Sequence, residues 1–192
     1  IIIGSLGFMV GTGGTALVSH ILGEGDEKKA NKYFSMLIYL TIIMGIVLSV
    51  IGVVFMRPVS ILLGATDAMI EDCVLYGRIV ISFTAAYMLQ NVFQSFLVAA
   101  EKPNLGLIAT LAAGFTNMIL DAVFVGVFRW GITGAALATG ISQCIGGLLP
   151  LIYFIRPNNS KLRLTKASFE LRPILQACAN GSSELMSNVS AS

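Results

Sequence analysis

Charge is what this sequence has least of. Only 11% of its 192 residues are Asp, Glu, Lys or Arg, less than half of the roughly 25% usual in soluble domains, so a soluble fold of this size lacks the residues for its wet surface. Histidine occurs once, as His20, near the end of an apolar run, where packing or an interfacial role suits it better than catalysis. Cys73, Cys144 and Cys178 have neither metal-ligand spacing nor an obvious shared location. No Gly-rich loop leads into Gly-Lys-Ser/Thr, which argues against a nucleotide-driven engine. No soluble catalytic cluster emerges, so the chain reads as a non-enzyme with no cofactor. Its basic residues sit in short separate loops rather than in one patch, which makes nucleic acid a poor partner. The chain opens on Ile1-Ile2-Ile3 with no basic leader and ends on Val189-Ser190-Ala191-Ser192, and is expected to be an internal stretch of a longer protein.

Long apolar runs are what it has instead. Hydrophobic residues make up 56% of the chain and the mean hydropathy is +0.85. Five runs, at about 1–22, 33–56, 74–100, 105–128 and 132–155, each reach the length that crosses a hydrocarbon layer about 30 Å thick at roughly 1.5 Å per residue. The second is expected to stop at Arg57-Pro58, because proline cannot continue the helical ladder. The expected fold is all-α, a polytopic transmembrane helical bundle. A soluble bundle shows similar periodicity, but five successive runs with loops too short for a polar shell oppose it. Residues 1–156 are read as a partial first bundle, 157–170 as a linker, and the more polar 171–192 as the start of a second bundle.

The basic residues give the bundle a direction. Lys28, Lys29, Lys32, Lys102, Arg156, Lys161, Arg163, Lys166 and Arg172 follow alternate runs, whereas Arg57 and Arg129 alone occupy the opposite loops, and Arg78 falls inside a run. The positive-inside bias puts the rich loops, including the linker, in the cytoplasm. The expected location is therefore a multi-pass protein of the cell inner membrane or plasma membrane, with lipids as partners. Leu162, Leu164 and Phe169, interleaved with basic residues, suit an interfacial segment or an ordinary linker alike.

Polar groups within the runs are the candidate functional residues. Asp121 lies inside the run 105–128, four residues after Asn117, so both occupy one helical face, with Thr116 nearby. An ionised carboxylate is costly against lipid and is expected to face the bundle interior, binding a proton or pairing with a cation. The plainer reading places Asp121 near the outer end of its span, reaching water. Tyr87, Gln90, Asn91 and Gln94 recur at helical spacing in the third run and suit either a substrate cavity or ties to neighbouring helices. Asn180, Glu184 and Ser187 form a further stripe, in which Asn180 and Glu184 repeat the spacing of Asn117 and Asp121, as in transporters built from related halves. Gly4, Gly7, Gly11 and Gly14 in the first run, and Gly131, Gly134, Gly140, Gly146 and Gly147 in the fifth, mark close helix packing.

Three segments carry a resemblance. Thr15 to Ala30, with its Gly-x-Gly turn followed by acidic and basic residues, resembles the first cytoplasmic loop of the multidrug and toxic compound extrusion (MATE) transporters. Phe93 to Asn104 resembles the end of their fourth helix, although Glu101-Lys102-Pro103-Asn104 lacks the frequent Gly-Asp-Thr wording. Asn117 to Asp121, followed by Gly131 to Thr139, is the strongest match. The resemblance implies helices two to six of an N-terminal bundle and the start of helix seven. It further implies a two-bundle transporter that exchanges protons or sodium ions for small organic, often cationic, substrates. It carries an ion-coupling role onto Asn117, Asp121 and Thr139, and onto Glu184 in the second bundle. Flipping of lipid-linked saccharides is the alternative within the same architecture, and a non-transporting scaffold or a channel the alternative outside it.

Overall fold

The computed structural model describes residues 2–157, 162–166 and 169–191, apart from the side chains at positions 2–4, 184 and 188. Lys161 and the side chain of Glu184 therefore lie outside the described residues. In chain order the helices are α1 (Ile2–Gly23), α2 (Glu27–Leu62), α3 (Ile70–Ser82), α4 (Thr84–Ala99) and α5 (Pro103–Asp121). A π-helical turn (Ala122–Val127) prolongs α5, and α6 (Gly131–Ile155) and α7 (Leu171–Ser190) follow. The starts follow local chemistry: the Asp26 carboxylate accepts the Lys29 N–H at 3.1 Å and caps α2, and Pro103 opens α5, where its missing N–H costs nothing.

Four of these segments are long and apolar enough to cross a membrane, namely α1, α2, α5 with its π turn, and α6; α3 and α4 together make a fifth. The run 74–100, expected as one straight helix, is broken at Phe83 with a bend of 49°. No proline or glycine stands at the break. Ser82 Oγ donates back to the Arg78 carbonyl at 2.7 Å and Thr84 Oγ1 to the Ile81 carbonyl at 2.6 Å, and hydroxyls that bond their own helix in this way bend it. The other departure is at Arg57-Pro58, where the expected stop does not occur: α2 runs on to Leu62 with Pro58 inside it. Proline forfeits one ladder bond, here close to the helix end. Arg57 is fastened to Glu71 at the start of α3, 2.8 Å away.

Packing is tightest where glycines bring backbones together. Gly11 faces α4, where an added Cβ would stand 3.2 Å from Val92 Cα. Gly14 meets the Phe96 ring, at 3.0 Å on the same measure. The closest approach among the described glycines is elsewhere, between Gly13 of α1 and the Ala177–Gly181 turn of α7. A Cβ on Gly13 would come within 2.7 Å of the Gly181 nitrogen and 2.8 Å of the Ala177 carbonyl carbon, and nearer still to the Ala177 oxygen. The aromatic core joins α2, α4 and α6: Phe34 meets Phe96 and Phe154 edge-on, each at 4.9 Å between centroids, and Phe93 stacks on Phe154 at 5.6 Å.

The segment after α6 is not a free tether. Leu162 is fully buried in the core. The Arg163 N–H donates to Asn31 Oδ1 at 2.9 Å, the Thr165 N–H to Ser35 Oγ at 2.7 Å, and Lys32 pairs with Glu170 at 2.6 Å. Residues 162–166 thus lie along the first turns of α2, two of their backbone N–H groups bonded to α2 side chains and that of Leu164 to the Phe154 carbonyl of α6, at 3.2 Å. Ser35→Ala removes the acceptor for Thr165 and is expected to cost about 1 kcal/mol. The check is amide hydrogen exchange at Thr165 in the full-length protein, which should quicken at least severalfold; unchanged exchange would show that the segment is held by other means.

Candidate functional site

Asp121 is the last residue of α5, half-buried, at the point where the backbone ladder changes from α to π. Beyond it the Phe128 N–H reaches back to the Val123 carbonyl and the Trp130 N–H to the Phe124 carbonyl, both at 2.9 Å. This widening separates the Asp121 turn from the helix end, and π turns inside α-helices recur at functional sites. Pro103–Val127 forms one candidate span, so Asp121 stands six residues from its end, about 9 Å by helical rise. No pattern in Ala122-Val123-Phe124-Val125-Gly126-Val127 announces the π turn, and the sequence reading missed it.

Asn117 is half-buried one turn before Asp121 on the same face. The Thr116 hydroxyl donates to the Ala112 carbonyl at 2.7 Å and the Thr139 hydroxyl to the Ala135 carbonyl at 3.0 Å. Both protons are committed, which leaves the Thr139 oxygen lone pairs as acceptors. Thr139 belongs to α6, which packs along α5 and its π turn; Gly134 makes the closest approach, since a Cβ there would stand 3.0 Å from Phe124 Cβ. Among the described residues Asp121 makes no hydrogen bond or ion pair given by the geometry, and no three His, Cys, Asp or Glu side chains are grouped as a metal site. A carboxylate with amide and hydroxyl oxygens on adjoining helices is hard-donor chemistry, suited to a proton or an alkali cation rather than to a soft metal.

The polar residues of α4 separate by direction. Tyr87 lines a recess of about 410 Å³ with Thr84, Tyr76 of α3, Met56 of α2 and Gln143 of α6. Gln143 Oε1 is buried there with no partner among the described residues; the sequence reading passed over it because one glutamine among glycines and alanines carries no periodic signal. Gln90 packs its amide against Gly146 of α6, where a Cβ would stand 2.7 Å from Cδ. Asn91, 8% exposed, faces Gly7 of α1, and its Nδ2 has no partner among the described residues. Gln94 donates to the Gly106 carbonyl at 3.3 Å and to the Thr110 hydroxyl, tying α4 to α5. Among the described contacts Tyr87 faces a recess, Gln90 and Gln94 contact α6 and α5, and Asn91 lies against α1.

On α7 the buried side is Pro173, Ala177 and Gly181, facing α1, while Asn180 and Ser187 of the polar stripe are exposed. Glu184 falls within α7, but its side chain lies outside the described residues.

Residues 1–123 match the family model described as MatE. Multidrug export protein MepA of Staphylococcus haemolyticus (strain JCSC1435) is 31% identical over 156 residues, covering 81% of this chain and 34% of that protein. Among solved structures, an inward-facing multidrug resistance MATE family transporter of the MOP superfamily overlays with a TM-score of 0.90 at 19% identity, covering 97% of this chain and 43% of that one. An outward-facing structure described in the same terms overlays with a TM-score of 0.89 at 19% identity, over 98% and 42% of the two chains. The chain spans about a third of the length of the curated relatives it matches.

Proposed function

The chain belongs to the MatE family, and from that premise we propose that it is the greater part of the first bundle of a secondary transporter that expels small organic, often cationic, compounds. Residues 1–156 form that bundle in a cell membrane, 157–170 the cytoplasmic linker, and α7 opens the second bundle. An inward proton or sodium gradient drives alternating access. Asp121 takes the coupling ion with oxygens of Asn117 and Thr139, and Glu184 serves as a second carboxylate in the other half. Tyr87 contributes an aromatic face to the path of the cation, where a ring attracts positive charge.

The observation that carries this reading is a half-buried carboxylate within a 25-residue apolar span, Pro103–Val127. Such a group is costly unless it is protonated or paired, so its occupancy biases which helix arrangement is cheapest. The similar overlay on inward-facing and outward-facing structures is what is expected if this region moves as one body against its partner half. Flipping of lipid-linked saccharides shares the architecture, but no residue of the site favours it.

The test is transport by the full-length protein in sealed vesicles loaded with a cationic dye. An imposed inward proton or sodium gradient should accelerate dye release severalfold over the ungraded control, and dissipating it with an ionophore should remove the gain. Release that ignores both gradients would overturn the proposal.

A further inference from the structure

The two arginines at the end of the bundle opposite the basic loops differ in their commitments. Arg57 pairs with Glu71 at 2.8 Å. Arg129 makes no hydrogen bond or ion pair among the described residues. It stands in a tight connection: one candidate span ends at Val127 and the next begins at Gly131, with only residues 128–130 between them. A turn that short cannot carry its side chains far from the surface of the hydrocarbon layer. The Trp130 indole N–H beside it likewise has no acceptor among the described residues. Two donors therefore stand without a partner where two apolar helices meet the polar boundary.

The backbone fixes the turn and gathers three rings beneath it. Arg129 has φ 54° and Gly131 φ 60°; for arginine the left-handed region costs about 1 kcal/mol, and the N–H groups of Phe128 and Trp130 on either side hold it there through their bonds to Val123 and Phe124. Phe124 meets Phe128 at 6.1 Å and Trp130 at 5.0 Å between centroids, and Phe128 meets Trp130 at 5.1 Å. Trp130 is the chain's only tryptophan, and it and Phe128 are 49% and 51% exposed, so the cluster is not hidden in the core. Below it Leu111, Phe115, Met118 and Ile119 of α5 are all exposed and, at 100° per residue, fall in one sector about 100° wide. Such a stripe on a membrane span is covered by acyl chains, and tryptophan favours the level where those chains meet the headgroups.

We propose that the turn between α5 and α6 is an interfacial anchor, in which the Arg129 guanidinium and the Trp130 indole N–H bind the phosphate of a lipid of the facing leaflet. Guanidinium and phosphate form charge-assisted bonds, and indole joins an apolar body to a single polar N–H. Phe124 and Phe128 lie on the hydrocarbon side of that contact. The anchor sets the depth of the π turn, and with it the depth of Asp121. The inference concerns how the bundle is seated in the bilayer and stands apart from the transport reading.

The test is fluorescence quenching in the full-length protein, reconstituted in phosphatidylcholine vesicles that carry a nitroxide either on the headgroup or near the end of the acyl chain. The Trp130 signal is the difference between the wild type and Trp130→Phe, with Trp130→Tyr as the reference should the first variant fail to fold. The headgroup label should quench that signal roughly twofold more than the chain-end label. Arg129→Gln should remove most of this preference, because the phosphate contact holds the ring at headgroup depth, and Arg129→Lys should keep part of it. Arg57→Gln, with the same change in net charge, should leave it intact, and excess inorganic phosphate should not alter it. Equal or stronger quenching by the chain-end label would place the ring too deep. Quenching by neither label would show the ring covered by the other half of the protein or by a second copy. Each of these results overturns the proposal, as does a preference that survives Arg129→Gln, falls equally in Arg57→Gln or is lost on adding phosphate.

Discussion

Asp121→Asn in the full-length transporter is expected to abolish gradient-driven efflux while the protein still reaches the membrane. Asparagine keeps the shape of the side chain but cannot titrate, so the site is locked in its neutral form. A proton entering down 100 mV and one pH unit delivers about 2.3 and about 1.4 kcal/mol, but a monovalent cation leaving against the same field offsets the first, so a one-for-one exchange sustains a ratio of about ten for such a cation and of several hundred for a neutral compound. Without the titrating oxygen that ratio should collapse to about one, although the cation should still bind and exchange. Efflux and equilibrium exchange measured in one vesicle preparation separate the two effects. Efflux like that of the wild type would remove Asp121 from the coupling role. Asp121→Glu, which restores a carboxylate on a longer stem, should recover part of the driven flux.

The second large effect is structural. Gly13→Ala is expected to destabilise the full-length protein by about 1–3 kcal/mol or more, the cost of overpacking a close contact. The new methyl would meet backbone atoms of Ala177 and Gly181, which cannot rotate away as a side chain would. Gly23→Ala is the control, because nothing stands within 4 Å of a Cβ there. Thermal melting in detergent should show a clear fall for the first and little change for the second. Disulfide trapping of a cysteine pair placed across α1 and α7 should weaken in the Gly13 variant. If both alanines melt alike, the α1–α7 seam is looser than its geometry implies.

What could be read from the sequence follows from what lipid demands. A membrane penalises every unpaired backbone group, so long apolar runs announce helices, and the helical fold follows from composition and run length. Asn117 and Asp121 stood out for the same reason: polar atoms are conspicuous where few are tolerated. Features set by neighbours did not stand out. The bend at Phe83 depends on two hydroxyls turned back on their own helix, and those of Ser82 and Thr84 read as unremarkable. Pro58 looked like a terminator because the local rule is strong, yet a helix in its last turns tolerates the loss of one bond. Gly13 was passed over for Gly7, Gly11 and Gly14, since one flank was in view and Gly13 serves another. Gln90, Asn91 and Gln94 share a stripe with Tyr87, but three different helices receive them. Periodicity assigns a face, and only the packing of helices decides which partner meets each residue on it.

Residues 162–166 and 169–170 tie the approach to α7 back onto α2. They are fastened to α2 through Asn31, Ser35 and Lys32. A displacement of the first turn of α7 against α2 therefore either breaks the Lys32–Glu170 pair or carries α2 along. With the seam where Gly13 meets Ala177 and Gly181, this fixes α7 to α1 and α2 at two places, so the three helices travel together as one lever.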